Sequence, residues 1–143
     1  MKPPTYCIGI DCGVSTGICI WDRSRKAIEK LRTVKIHVAM EEVRRLAITD
    51  DLFVRVEDAR QRKWVPRYES ESRERGRREG AGSVKRDAKI WEDFLTDMGV
   101  PFEMVAPKNN KTKVTAAYFK KLTGYMETCS QHARDAALLV YGY

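Results

Sequence analysis

The 143-residue chain has no apolar run approaching the ~18 residues that a bilayer-spanning helix needs. Its start, Met1-Lys2-Pro3-Pro4, lacks the apolar stretch of a secretory signal. A membrane protein is therefore not expected, and the expected home is the cytoplasm. The four cysteines, Cys7, Cys12, Cys19 and Cys129, form no CxxC pair and no Cys/His ligand spacing, which argues against structural zinc. Three of them fall in a short strand-like region, where a thiol acts as a small buried hydrophobe. A disulfide framework is not expected either, because the chain is long enough to bury a substantial core. No internal repeat is present, and only residues 69–79 come near low complexity.

What is present fits one domain over residues 1–143, at ~100–150 residues per domain. With 43% hydrophobic residues the chain is too apolar to be disordered. The formal charge is +7, from 27 Lys and Arg against 20 Asp and Glu. Its location is more informative than its size. Residues 59–89 carry 11 basic and 5 acidic groups, so six of the seven excess charges lie in that window. A local basic cluster is the usual footprint of a polyanion partner, although a solvated mixed-sign loop has the same composition.

Apolar patterning orders the chain. Residues 5–10 (T-Y-C-I-G-I) read as a buried strand stopped by Asp11-Cys12-Gly13, and residues 16–21 as a second strand after a tight turn, hence an antiparallel hairpin. A third strand is expected within 27–36. Residues 38–48 have helical stripes, and the helix allows the next strand, 52–56 (L-F-V-R-V), to lie parallel to the first. From residue 59 to about 82 the pattern fails, predicting a basic flexible loop; connections this long are usually functional. Helical period returns at Ser83 and runs to Met98, with Gly99 as its stop. A short strand at 102–105 and helices at 113–122 and 131–141 complete an α/β fold: a mixed five-stranded sheet, three antiparallel strands and then parallel ones, flanked by helices.

Asp11 lies just past one apolar strand and Glu57 just past another, while His132 and Asp135 sit three apart near a helix start. Ligands gather at the carboxyl ends of strands in such sheets, and the i,i+3 spacing puts His132 and Asp135 on one helical face. Carboxylates with an imidazole suit Mg²⁺ or Mn²⁺, and two such ions ~4 Å apart can activate water and stabilise the leaving oxygen of a phosphodiester. Each residue alone has an ordinary alternative, as a turn, strand-end or helix N-terminal polar group. Four together beside a basic segment shift the balance towards a site.

The run Ile8-Gly9-Ile10-Asp11-Cys12-Gly13 with Thr16-Gly17, the strand ending Val56-Glu57, and His132-Ala133-Arg134-Asp135-Ala136 resemble the RuvC-type Holliday junction resolvases of the ribonuclease H-like superfamily. The small phage and prophage members are nearest in size. The resemblance implies a ribonuclease H-like nuclease domain and Mg²⁺-dependent hydrolysis of DNA phosphodiesters at four-way junctions or related branches, with Mn²⁺ as a possible substitute. By the same resemblance Asp11, Glu57, His132 and Asp135 hold the metals. Lys108 and Lys111, in the Pro107-Lys108 and Lys111-Thr112-Lys113-Val114 run, match the family's basic residues near the scissile phosphate. A homodimer is implied too, because symmetric cleavage of two strands needs two sites, and so is the cytoplasm of a bacterial cell or of a phage-infected host.

The basic window supplies the expected DNA contacts: Arg60, Arg62, Lys63, Trp64, Arg67, Tyr68, Arg73, Arg75, Arg77, Arg78 and Lys85. Bacterial members often place an aromatic wedge three residues after the catalytic Glu; that position here is Arg60, leaving Trp64 or Tyr68 to stack on unpaired bases. The face of Val84, Trp91 and Leu95 exceeds what one small sheet is expected to cover, suggesting the dimer interface. Two other readings compete. Asp11-x-Gly13-x-x-x-Gly17 also resembles the first phosphate loop of actin-like ATPases and sugar kinases, but those clasp a nucleotide between two such domains. The second is a catalytically silent ribonuclease H-like module that binds branched nucleic acid through residues 60–89.

Overall fold

Alternation along the first strand decides the layers. In Tyr6–Asp11 (β1), Ile8 and Ile10 enter one apolar cluster and Cys7 the other, so the two faces of the strand support two half-cores. Ser15–Asp22 (β2) folds back antiparallel on β1, with Asp11 opposite Gly17, and Ala27–Lys35 (β3) pairs antiparallel with β2. The helix Ile36–Thr49 (α1) then returns the chain, and Leu52–Glu57 (β4) lies parallel to β1 from Tyr6 opposite Leu52 to Ile10 opposite Val56. After Glu71–Met98 (α2), Phe102–Val105 (β5) adds in parallel to β4. The helices Ala116–Thr123 (α3) and Gln131–Val140 (α4) follow. The sheet order β3-β2-β1-β4-β5 is the mixed α/β sheet expected from the sequence. The computed structural model describes residues 3–61, 71–107 and 114–143, and only the backbone of 71–79 and 81.

One face of the sheet is covered by α1 and α2. Ala39 and Val43 of α1, and Ala88, Trp91 and Leu95 of α2, pack against Ile8, Ile10, Ile18, Ile20, Val54 and Val56. Removing the Val, Ile and Leu side chains among them from water stabilises the fold by ~1.5–3 kcal/mol each. On the opposite face α3 supplies Phe119 and α4 supplies Ala133, Ala136, Ala137, Leu139 and Val140 against Cys7, Cys19 and Trp21. The three thiols expected as small core groups, Cys7, Cys12 and Cys19, are buried, and all four cysteines are free. Among the described residues no helix is long and apolar enough to cross a membrane.

Two expectations are corrected. The helix α2 begins at Glu71 rather than at Ser83, so the second half of the predicted loop is helical. Residues 71–82 lack apolar periodicity, yet Arg and Glu have good helix propensity and extend a helix whose later turns are anchored in the core. Secondly, Trp91 and Leu95 are fully buried against the sheet, so this face of α2 is core and is not an exposed dimer surface.

Candidate functional site

The site begins with two strand ends. Because Ile10 lies opposite Val56 in the parallel pair β1–β4, the next residue on each strand, Asp11 and Glu57, emerges at the same carboxyl edge of the sheet. Alternation places both on the face covered by α4. Phe53 of β4 packs in the α4-side cluster and the Arg55 guanidinium donates to the carbonyl of Leu139 on α4, so Glu57 continues that side. Central parallel strands with their carboxyl ends together are where α/β sheets gather ligands.

Helix α4 supplies the third group. The His132 Nδ1 and Asp11 Oδ2 atoms are 2.8 Å apart, linking residues 121 positions apart in the chain. The Asp11 side chain is only 13% exposed, whereas that of His132 is 53% exposed and so remains open to a ligand. Asp135, one helical turn on, is half-buried and accepts a hydrogen bond from Gln131 Nε2 at 2.9 Å. Of the four residues singled out from the sequence, Asp11 and Glu57 end neighbouring strands, His132 reaches Asp11 from α4, and Asp135 lies one turn further along that helix.

Two glycines make this convergence possible. A Cβ on Gly17 would lie 2.0 Å from the His132 carbonyl oxygen, and one on Gly9 would lie 2.1 Å from that of Ala136. No side chain fits in either gap, so α4 can approach the β1–β2 hairpin this closely only over bare backbone. A glycine inside a strand often marks such an approach. The helix is held at both ends as well. Ser130 caps it by accepting from Ala133 N–H, and the same hydroxyl contacts Thr33 of β3. At the far end Tyr141 packs edge-on against Trp21, and Arg55 sits 4.7 Å over the Tyr143 ring.

Behind the acids lies Cys12. Its buried thiol donates to the Glu57 carbonyl at 3.4 Å, tying the end of β1 to the end of β4. Burial pushes this thiol well above its ordinary pKa, and the negative charges of Asp11, Asp87, Glu57 and Asp58 push it further, so it stays protonated and donates.

The residue after Glu57 was not singled out from the sequence, but it fixes how the chain leaves the site. Asp58 is buried and accepts from the Arg60 backbone N–H at 3.0 Å, Arg60 Nε at 2.8 Å and Gln61 Nε2 at 3.2 Å. Burial alone would raise its carboxyl pKa; the hydrogen bonds from Arg60 and Gln61 outweigh that and hold it below the usual range. The turn Ala59–Gln61 is thereby pinned beneath Glu57. Arg60 also donates to Glu92 of α2 at 2.9 Å. Arg60, expected among the DNA contacts, is engaged by two carboxylates and ties this turn to α2.

The remaining members of the expected set divide by position. Lys85 is exposed on α2, and Arg73, Arg75, Arg77 and Arg78 fall within the same helix. Arg62, Lys63, Trp64, Arg67 and Tyr68, and the lysines Lys108 and Lys111, lie outside the described residues.

Carboxylate oxygens with one imidazole nitrogen are the donor chemistry of Mg²⁺ or Mn²⁺ rather than of a thiophilic metal. In that respect Asp11, Glu57, His132 and Asp135 fit a divalent cation. Among the described residues no three His, Cys, Asp or Glu side chains stand close enough to hold an ion as they are, and the imidazole lies on Asp11 instead. No protein-family model matches the chain, and no characterised protein matches it either.

Proposed function

We propose that the protein is a Mg²⁺-dependent endonuclease of the ribonuclease H-like type that hydrolyses DNA phosphodiesters at four-way junctions or related branches. The observation that carries this reading is the meeting of Asp11 and Glu57, at the ends of neighbouring parallel strands, with His132 from α4, 2.8 Å from Asp11. The basic excess of residues 59–89, between the second acid and the body of α2, supports a polyanionic substrate beside those carboxylates. The resemblance of the three sequence motifs to junction resolvases supplies the substrate geometry.

Asp11, Glu57, His132 and Asp135 would hold the ions. When bound, divalent cations supply water activation and neutralise charge on the reacting phosphate. The chain's own part is orientation. Gly9 and Gly17 let α4 set His132 against Asp11, while Cys12 and Asp58 fix the ends of the two acid-bearing strands. Lys108 and Lys111 would add cationic stabilisation to the phosphate. Paired cleavage needs two such sites, so the reading includes a homodimer with an interface elsewhere than the Trp91 face.

The test incubates the full chain with a synthetic four-way junction, a linear duplex and a single strand, with Mg²⁺ or with a chelator. Paired nicks confined to the junction, abolished by chelator and by Asp11→Asn, are the expected outcome. Equal cleavage of flaps and forks would widen the substrate to branched DNA in general. Junction binding without cleavage in Mg²⁺ or Mn²⁺, unchanged by Asp11→Asn, would sink the enzyme and leave a catalytically silent branched-DNA module.

A further inference from the structure

We infer that Arg134 is a positioning residue that sets the Asp135 carboxylate through the side-chain amide of Gln131. The inference rests on reading Asp135 as a site carboxylate. The three side chains form a directed chain on the first turns of α4. Arg134 Nη2 donates to Gln131 Oε1 at 3.1 Å, and Gln131 Nε2 donates to Asp135 Oδ1 at 2.9 Å.

The chemistry of the ends fixes the middle. A guanidinium has only donors and an ionised carboxylate has only acceptors. An amide between them can satisfy both in a single orientation, with its oxygen towards Arg134 and its NH₂ towards Asp135. Without Arg134 the carboxylate still selects the NH₂ end of the Gln131 amide, but the amide oxygen loses the donor that anchors it and, with it, the direction in which the NH₂ is presented.

Arg134 is itself firmly held. Its Nη1 donates to the Cys129 carbonyl at 2.7 Å and its Nε to the Val114 carbonyl at 3.1 Å, both in partly buried surroundings. The planar fork thus spends separate N–H groups on three acceptors, which the single point charge of a lysine cannot do with the same geometry. Its two backbone acceptors also connect the relay to the segments that precede α3 and α4. The carboxylate orientation is therefore set by a fixed scaffold rather than by an exposed rotamer. Partners that orient a ligating carboxylate typically change metal affinity by ~10–100-fold when removed.

Two readouts on the DNA-free full chain separate this proposal from the nuclease reading. The first is the ¹⁵N-resolved NMR signal pair of the Gln131 side-chain NH₂, expected to be distinct and slow to exchange in the wild type. Arg134→Met, which keeps the stem and removes the guanidinium, should collapse the pair towards free-amide values and fast exchange. The second is Mn²⁺ affinity from the electron paramagnetic resonance of the free ion. Arg134→Met and Gln131→Met should each weaken it ~10–100-fold, and the double variant should be no weaker than the worse single one.

Gln131→Met leaves the two Arg134 backbone contacts in place, so it tests the relay even where Arg134→Met fails to fold. Unmoved Gln131 signals in a folded Arg134→Met protein would overturn the proposal. So would unchanged Mn²⁺ affinity in Gln131→Met, or penalties that multiply in the double variant. A wild type that binds no Mn²⁺ but shows the coupled amide signals would remove the metal reading and keep the relay.

Discussion

At the residue scale, the site depends on two side chains that are absent. Gly17 and Gly9 lie under the carbonyls of His132 and Ala136, where a methyl group would sit about 2 Å from an oxygen. Neither glycine has a positive φ, so backbone freedom is not the reason for them. Their role is clearance. Gly17→Ala should force α4 off the β1–β2 hairpin, at a cost of ~1–3 kcal/mol for overpacking a tight contact. A urea titration of the purified variant should show its midpoint lowered. The displacement acts directly on the helix turn that carries His132, so the His132–Asp11 contact should lengthen along with the loss of stability. A wild-type midpoint would mean that α4 does not ride on bare backbone at this point.

At the scale of elements, what was legible in the sequence follows from where burial is one-sided or complete. The strands of β1, β2 and β4 declare themselves because both faces of each are covered, leaving near-continuous runs of β-branched and apolar residues such as Leu52 to Val56. Asp11 and Glu57 were legible for the same reason, since each is the first charged residue after such a run, whereas His132 and Asp135 were marked by their i,i+3 spacing. The helix α2 was legible only where Val84, Ala88, Trp91 and Leu95 meet the sheet; the sequence of its early turns is Arg, Glu, Ser and Gly, with no apolar period to mark a helix. The same blindness misassigned the Trp91 face, because a sequence does not show how much sheet α1 leaves uncovered. Here α1 contributes only Ala39 and Val43 to the buried set, and α2 fills the remainder. Trp91→Ala should therefore cost ~3–5 kcal/mol in global stability, as for other large buried aromatics. Trp91→Glu should give an unfolded chain, not a folded monomer. Circular dichroism melting decides this: a cooperative transition near the wild-type temperature for Trp91→Glu would return this face to the surface.

At the scale of the whole molecule, charge and fold are arranged around one edge of the sheet. The basic window, residues 59–89, opens at the Asp58–Arg60 lock and runs into α2. Arg60 is paired with Asp58 and Glu92. The proposed DNA contact is therefore tested on the arginines beyond it. If Arg73, Arg75, Arg77 and Arg78 each neutralise a DNA phosphate, each releases counterions worth ~0.9 in the slope of log affinity against log salt. Replacing all four by Gln should flatten that slope by about 3 to 4 and weaken binding most at low salt. Arg60→Gln should leave the slope unchanged while lowering stability, because it strips the buried Asp58 of its cation. Measuring binding to one junction across a salt series, with a melting curve for each variant, separates the two effects. An unchanged slope in the fourfold variant would assign these arginines to a solvated helix face. The DNA contact would then have to come from elsewhere around the Asp11–Glu57 edge.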